Sequence, residues 1–237
     1  MGLNRESITV KKLSLEYHEF SRTKKTPWGS IDGFKALDSI SFDIEEGETI
    51  ALLGRNGAGK STLLKALGGL LRPSEGEITT YGRVILLAGV DPGFLPDLSG
   101  RQNIQELSKA YGIKENEIDD FSKSIEDFAG LGEAFDRRFG GYSTGMRGKL
   151  GFGFITALNP SILLIDETLG VGDIEFRKKA QARLKEFIRN SGTVIISTHS
   201  LGLAKELCER GLLLNNGKLV SDGEINDVIE QYSSMIK

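Results

Sequence analysis

Gly54-Arg55-Asn56-Gly57-Ala58-Gly59-Lys60-Ser61-Thr62 fits the pattern G-x-x-x-x-G-K-[ST]. Its surroundings fit as well. Thr49-Ile50-Ala51-Leu52-Leu53 reads as a buried strand, and Ser61-Thr62-Leu63-Leu64-Lys65-Ala66-Leu67 reads as the start of a helix. The glycines let the backbone turn tightly, so that successive N–H groups point inward at an anion. The helix that follows adds its positive N-terminal end, Lys60 can reach the outer phosphates, and Ser61 offers a hydroxyl to Mg²⁺. With the lysine, the hydroxyl and the strand–helix setting all present, a ligand-free glycine turn is the poorer reading. The loop implies a nucleoside triphosphate site built from Gly54, Asn56, Gly57, Ala58, Gly59, Lys60, Ser61 and Thr62.

A chain of 237 residues can bury a substantial core as one α/β domain with a subdomain. The net charge of −3, with 27% charged residues, gives no broad basic field, so nucleic acid is not the expected partner. Cys208 is the single cysteine, which excludes an internal disulfide and fits a reducing compartment. It falls in a helical stretch, where a small buried core residue is the simpler reading than a reactive thiol. Met1-Gly2-Leu3-Asn4-Arg5-Glu6-Ser7 has no apolar run and reads as no secretory signal. No segment has the roughly 20 apolar residues needed to cross a bilayer, so work at a membrane is expected to go through a partner.

Ile8, Val10, Leu13, Leu15 and Tyr17 alternate in part, as in a half-exposed strand. Residues 18–33 read as a loop or short insert with Pro27, Gly29 and the only tryptophan, Trp28, either a contact point or packed back on the body. Strand character returns at Ile40-Ser41-Phe42-Asp43-Ile44, and Val84 opens another short strand. From Ser99 to Leu158 the chain turns helical, with Gly112, Gly130 and Gly132 as punctuation. The expected fold is α/β: a mainly parallel central sheet, an antiparallel β subdomain and an inserted helical subdomain. Residues 1–88 and 159–237 form the core of this single domain, and 89–158 form the insert. Ile162-Leu163-Leu164-Ile165 suits a parallel strand covered on both faces, and Asn215-Asn216-Gly217 marks a hairpin turn.

Asp166-Glu167 ends the Ile162-to-Ile165 strand, at the edge of an open parallel sheet where ligands bind. There Asp166 can hold Mg²⁺ through its water shell, and Glu167 can polarise an attacking water. His199 follows the strand that starts at Thr193, at the same edge. It can hydrogen-bond a γ-phosphate or orient Glu167.

The order of phosphate loop, helical insert, Ser143-Thr144-Gly145-Met146, Asp166-Glu167, Asp173 and Thr198-His199 resembles the ATP-binding cassette ATPases along nearly the whole chain. The resemblance implies a homodimer packed head to tail, each ATP sandwiched between one phosphate loop and the partner's Ser143 and Gly145 signature. A hydroxyl, backbone N–H groups and a helix dipole at Ser143 and Gly145 make chemical sense facing a γ-phosphate. The resemblance also implies that Tyr17 stacks on adenine and that Asp173 belongs to the nucleotide site. Tyr142-Ser143-Thr144-Gly145-Met146, Gly170-Val171-Gly172-Asp173 and the run from Gly93 to Asn103 resemble one branch, the ATPase subunits of exporters of O-antigen, capsular polysaccharide or teichoic acid. That implies ATP and Mg²⁺ as cofactors, an integral-membrane permease as partner, a lipid-linked polysaccharide as cargo, and a place on the cytoplasmic side of the membrane.

The departures are specific. Ala88-Gly89-Val90-Asp91 stands where the family usually has a glutamine, Gln102 lies too far downstream to replace it, and Asp91 is one option. Gly151 and Gly153 sit in a presumed helix, where each costs about 1 kcal/mol relative to alanine unless close helix packing needs it. Some exporters of this type carry a further C-terminal sugar-binding domain, which this chain is too short to include. The alternatives are a different cargo, or a non-transport ATPase acting on ribosomes or DNA. Those usually carry two cassettes, coiled-coil inserts or zinc-binding inserts; this chain has one cassette, no heptad run and no cysteine cluster.

Overall fold

The structure is a computed structural model that describes residues 5–21, 30–88, 92–166, 172–190 and 192–236. The chain forms two units. One comprises Met1–Leu86, Ser161–Leu164 and Ser191–Lys237, the other Leu87–Pro160 and Ile165–Asn190.

In the first unit, β1 (Glu6–Ser21) lies between β2 (Ser30–Glu45) and β4 (Glu75–Thr80), antiparallel to both. A six-stranded sheet has the order β5 (Val84–Ala88), β6 (Ile162–Asp166), β7 (Thr193–Ser197), β3 (Thr49–Leu53), β8 (Arg210–Asn215), β9 (Lys218–Glu224). β3 runs parallel to β7 and β8, while β9 returns antiparallel to β8 through the turn at Asn216 and Gly217. A strand with neighbours on both sides and both faces covered has no use for polar side chains, which is why Ile50, Ala51, Leu52 and Leu53 are all fully buried. The inner face of the antiparallel sheet (Ile8, Val10, Leu13, Leu15) shares one apolar core with β3 and with Leu63, Leu64 and Leu67 of helix α1 (Lys60–Leu67). Each such side chain contributes about 1.5–3 kcal/mol on burial. The phosphate-loop helix is therefore fixed from beneath.

Part of the segment read as a loop is strand. His18 pairs with Gly33, Glu19 with Asp32, Phe20 with Ile31 and Ser21 with Ser30, so β1 and β2 are longer than the apolar pattern shows. Backbone ladder bonds do not need apolar side chains, so pairing can run on where the sequence shows no alternation. Trp28 lies outside the described residues. Cys208 caps the C-terminus of α6 (Leu201–Leu207) and is buried, and burial pushes its thiol up to about 12. It carries no thiolate at neutral pH.

The second unit holds α2 (Gly100–Ala110), α3 (Ile118–Ala129), α4 (Thr144–Ala157) and α5 (Ile174–Arg189). α4 is its axis. Every residue from Leu150 to Thr156 is buried, so that part of the helix is covered on every side. Rings gather around it: Phe154 meets Phe94, Tyr111 and Phe121, and Phe152 meets Phe128 and Phe176, at centroid separations of 5.5–6.2 Å. Gly153 has a packing reason. A Cβ there would lie 3.2 Å from Phe128 Cδ1 and 3.4 Å from Ile125 Cγ2, so α3 packs tightly on α4 at this point and a large side chain would have to push it aside.

The run from Gly93 to Asn103 is organised by Asn103, which is 1% exposed. Its Oδ1 accepts the Leu95 N–H at 2.6 Å, and its Nδ2 donates to the carbonyls of Leu95 and Ser99, both at 3.0 Å. Gln102 completes a capping box with Ser99 at the start of α2, accepting the Ser99 N–H at 2.9 Å, so its amide serves the helix start. Ser99 and Gln102 thus answer to local helix chemistry. Gly153→Leu is expected to destabilise the fold by about 1–3 kcal/mol through overpacking, read as a lower unfolding midpoint in urea.

Candidate functional site

The phosphate loop leaves the end of β3 in a conformation that only glycine accepts easily at two contact points. Gly54 has φ 151° and Gly59 has φ 105°. A Cβ on Gly54 would lie 2.5 Å from the Leu214 carbonyl oxygen of β8, and one on Gly59 would lie 2.8 Å from the Ala36 carbonyl oxygen of β2. The loop is thus pressed against backbone on two sides. The β8–β9 turn braces it: the Gly217 N–H donates to the Ala58 carbonyl at 3.0 Å, and the Gly217 carbonyl accepts the Asp38 N–H at 2.8 Å.

Lys60 is 6% exposed, and its Nζ donates to the carbonyls of Gly54 at 2.8 Å and Arg55 at 3.2 Å. The ammonium therefore lies across the loop, held by the loop itself. α1 begins at Gly59 with no side-chain cap among the described residues and no acid in its first turn. The N–H groups at its start, together with the Lys60 charge, suit a polyphosphate. Ser61 is exposed in the same turn.

Tyr17 stands beside this helix start. Its hydroxyl lies 3.5 Å from Thr62 Oγ1, and the residue is 42% exposed. Directly opposite on β2 is Phe34, 65% exposed. Cross-strand partners project from the same face, so a second exposed ring adjoins Tyr17. Phe34 escaped the sequence reading because nothing local marks a residue that becomes a neighbour only through strand register.

β7 is parallel to β3, with Ser197 in register with Leu52, so Thr198 and His199 leave the sheet at the edge where Gly54 begins. His199 is exposed. Thr198 Oγ1 accepts the Ser200 N–H at 3.1 Å, and Ser200 in turn caps α6, which fixes the backbone on the C-terminal side of His199. Asp166 is the last residue of β6 and is partly buried. Glu167 and Asp91 lie outside the described residues. Among the described residues no cluster of three or more His, Cys, Asp or Glu forms a metal cage. The Ser61 hydroxyl and the Asp166 carboxylate are oxygen donors of the kind Mg²⁺ takes, one or two from the protein with water and phosphate oxygens completing the shell.

Ser143 and Gly145 stand at the start of α4, as the sequence reading placed them. Ser143 is the N-cap and accepts the Met146 N–H at 3.2 Å. A Cβ on Gly145 would lie 3.9 Å from Gly172 Cα, so the start of α4 runs beside the start of α5. Asp173 caps α5, its Oδ1 accepting the Phe176 N–H at 2.9 Å, while its Oδ2 accepts from Lys149 Nζ of α4 at 2.6 Å. Both carboxylate oxygens of Asp173 are thus engaged within the chain. Lys149, 24 residues away in sequence, carries no motif that would have drawn attention to it.

The Lys149 hydrogen bond, and after it the Phe176 N–H, hold the Asp173 carboxyl down to about 2 from its ordinary 3.8. Because the folded value is depressed, any stability from this group is present in full above pH 3.8 and is lost as pH falls through about 2. In a carboxyl-carbon NMR titration Asp173 is expected to titrate near 2, and in Lys149→Ala to move back up toward 3.8.

Residues 37–170 match the family model described as ABC transporter. The O-antigen export system ATP-binding protein RfbB of Klebsiella pneumoniae is 38% identical over 199 residues, covering 84% of this chain and 81% of that protein. The teichoic acids export ATP-binding protein TagH of Listeria innocua serovar 6a is 35% identical over 244 residues, covering 100% of this chain and 72% of that protein. Among solved structures, a dimeric post-hydrolysis state of the ATP-binding cassette MJ0796 with ADP and Pi has a TM-score of 0.76 at 22% identity. It covers 92% of this chain and 98% of that one.

Proposed function

This chain belongs to the ATP-binding cassette family, and we propose that it is the ATP-hydrolysing subunit of a polysaccharide exporter, working as a homodimer beneath a separate membrane permease. The observation that carries the cargo reading is the similarity, over 84% and 100% of the chain, to ATP-binding proteins of O-antigen and teichoic acid export. Among the described residues no helix is long and apolar enough to cross a membrane, and the reading assigns passage of the lipid-linked glycan to the permease. The subunit would then sit on the cytoplasmic side of that membrane.

The chain's own residues divide the work. Lys60, fixed by two loop carbonyls, meets the outer phosphates with little rotamer entropy left to lose, while the loop amides and the α1 dipole hold the rest. Tyr17, already beside Thr62, stacks on the base. Ser61 and Asp166 hold Mg²⁺, which neutralises charge on the phosphates when bound. Glu167 polarises the attacking water, and His199 hydrogen-bonds the γ-phosphate at the edge where the loop starts. Ser143 and the α4 amide end complete the site of the second copy. Neither half-site is whole alone, so ATP favours the dimer and hydrolysis releases it.

Glu167→Gln is expected to bind ATP and dimerise while turnover falls by about 10²–10⁴-fold. Brisk hydrolysis by that variant would remove Glu167 from its role. Lys60→Ala is expected to lose most ATP affinity, measured by fluorescent nucleotide titration; undiminished affinity would show that the loop is not the phosphate site. For the cargo, tagged Glu167→Gln protein should be recovered with ATP from solubilised membranes of its own cell. A multi-span membrane protein with a lipid-linked glycan supports the exporter reading. Ribosomes or nucleic acid alone would overturn it and leave the nucleotide chemistry standing.

A further inference from the structure

The contact between α4 and α5 is joined at two points on one face of α4. Gly145 and Lys149 are four residues apart, so both face the same way on the helix. Gly145 lies near Gly172, in whose ordinary van der Waals range a Cβ on it would fall, and Lys149 binds Asp173 at 2.6 Å with its ammonium 5.6 Å from the centre of the Phe176 ring. Asp173 at the same time caps α5. One carboxylate thus ties the start of one helix to the second turn of another.

We propose that Lys149 is a positioning residue for turnover: by holding the first two turns of α4 against the capped start of α5, it sets Ser143 and the α4 amide end where the nucleotide of a second copy must meet them. This rests on the ATP-sandwich reading above and goes beyond it in assigning Lys149 and the orientation it fixes. Asp173 thereby acts through Lys149 rather than on the nucleotide. The pair is not there mainly for stability. The Lys149 side chain is 20% exposed and that of Asp173 60%, so water reaches the carboxylate and screens the pair, which limits its contribution to folding. Orientation is different, because a small displacement of a phosphate-facing group lowers turnover steeply. A geometric tie with little folding energy should show in kcat and leave the melting temperature where it was.

The test uses the full chain carrying Lys149→Ala or Lys149→Arg, with ATP turnover, ATP affinity of the monomer and thermal melting measured on the same preparations. In Lys149→Ala, kcat is expected to fall tenfold or more, on the order allowed for misplacement of a catalytic group. Monomer ATP affinity and the melting temperature should stay at the parent values. Lys149→Arg, which keeps the charge and the reach, should restore turnover to within about twofold. In the Glu167→Gln background, Lys149→Ala should weaken ATP-driven dimerisation by about tenfold. Parental kcat in Lys149→Ala, or a loss of kcat matched by a lower melting temperature and not restored by arginine, overturns the assignment. A parent protein that binds ATP at the loop yet never dimerises or hydrolyses it overturns the sandwich reading itself, and this role with it.

Discussion

Everything around the nucleotide loop follows from the need to hold backbone N–H groups open to an anion inside a packed fold. Such groups are normally paired, and leaving them exposed in a loop would leave the loop floppy. Here rigidity comes from outside the loop. The Ala58 carbonyl is held by Gly217, Gly217 is held by Asp38, and Gly54 and Gly59 rest against backbone of β8 and β2. The antiparallel sheet and the β8–β9 hairpin thus explain themselves. They are the walls that keep the loop in shape, and the core beneath α1 fixes its far end.

The helical unit solves a different problem. It must present one helix end to an outside ligand while burying the rest of that helix. α4 achieves this by burying every residue from Leu150 to Thr156, with rings from Phe94, Tyr111, Phe121, Phe128 and Phe176 closing over it. Glycine at position 153 admits α3 at close range. The intrinsic helix cost of glycine is thereby set against packing that a larger residue would block. Arg101 of α2 links to Asp136 at 2.7 Å and to Glu126 of α3 at 3.0 Å, and its guanidinium sits 4.8 Å above the Phe135 ring.

Sequence reading and structure part ways at instructive points. Residues 18–21 and 30–33 have no apolar alternation, so their strand pairing was invisible; only the ladder to the opposite strand reveals it. For Asp173, whose motif implied a place in the nucleotide site, the structure adds two partners within the chain, the Phe176 N–H and Lys149. Gln102, set aside in the sequence as too far downstream to replace the family's glutamine, is a capping-box residue. The strand pairing and the Lys149 partner are set by long-range geometry that local composition does not encode, whereas the Ser99–Gln102 pair is local.

By itself the sequence determined the α/β class, the phosphate loop, the two central apolar strands and the start of α4 at Ser143. Those features rest on local chemistry: glycines at forced turns, apolar runs where both faces are covered, a hydroxyl where a helix begins. Tertiary structure alone decided which partners those features meet. That Phe34 stands beside Tyr17, that Gly217 braces Ala58 across about 160 residues of chain, and that Lys149 takes one oxygen of Asp173 are all long-range contacts. They follow from strand register and helix approach, which depend on how the whole core closes and not on any stretch of the chain taken alone.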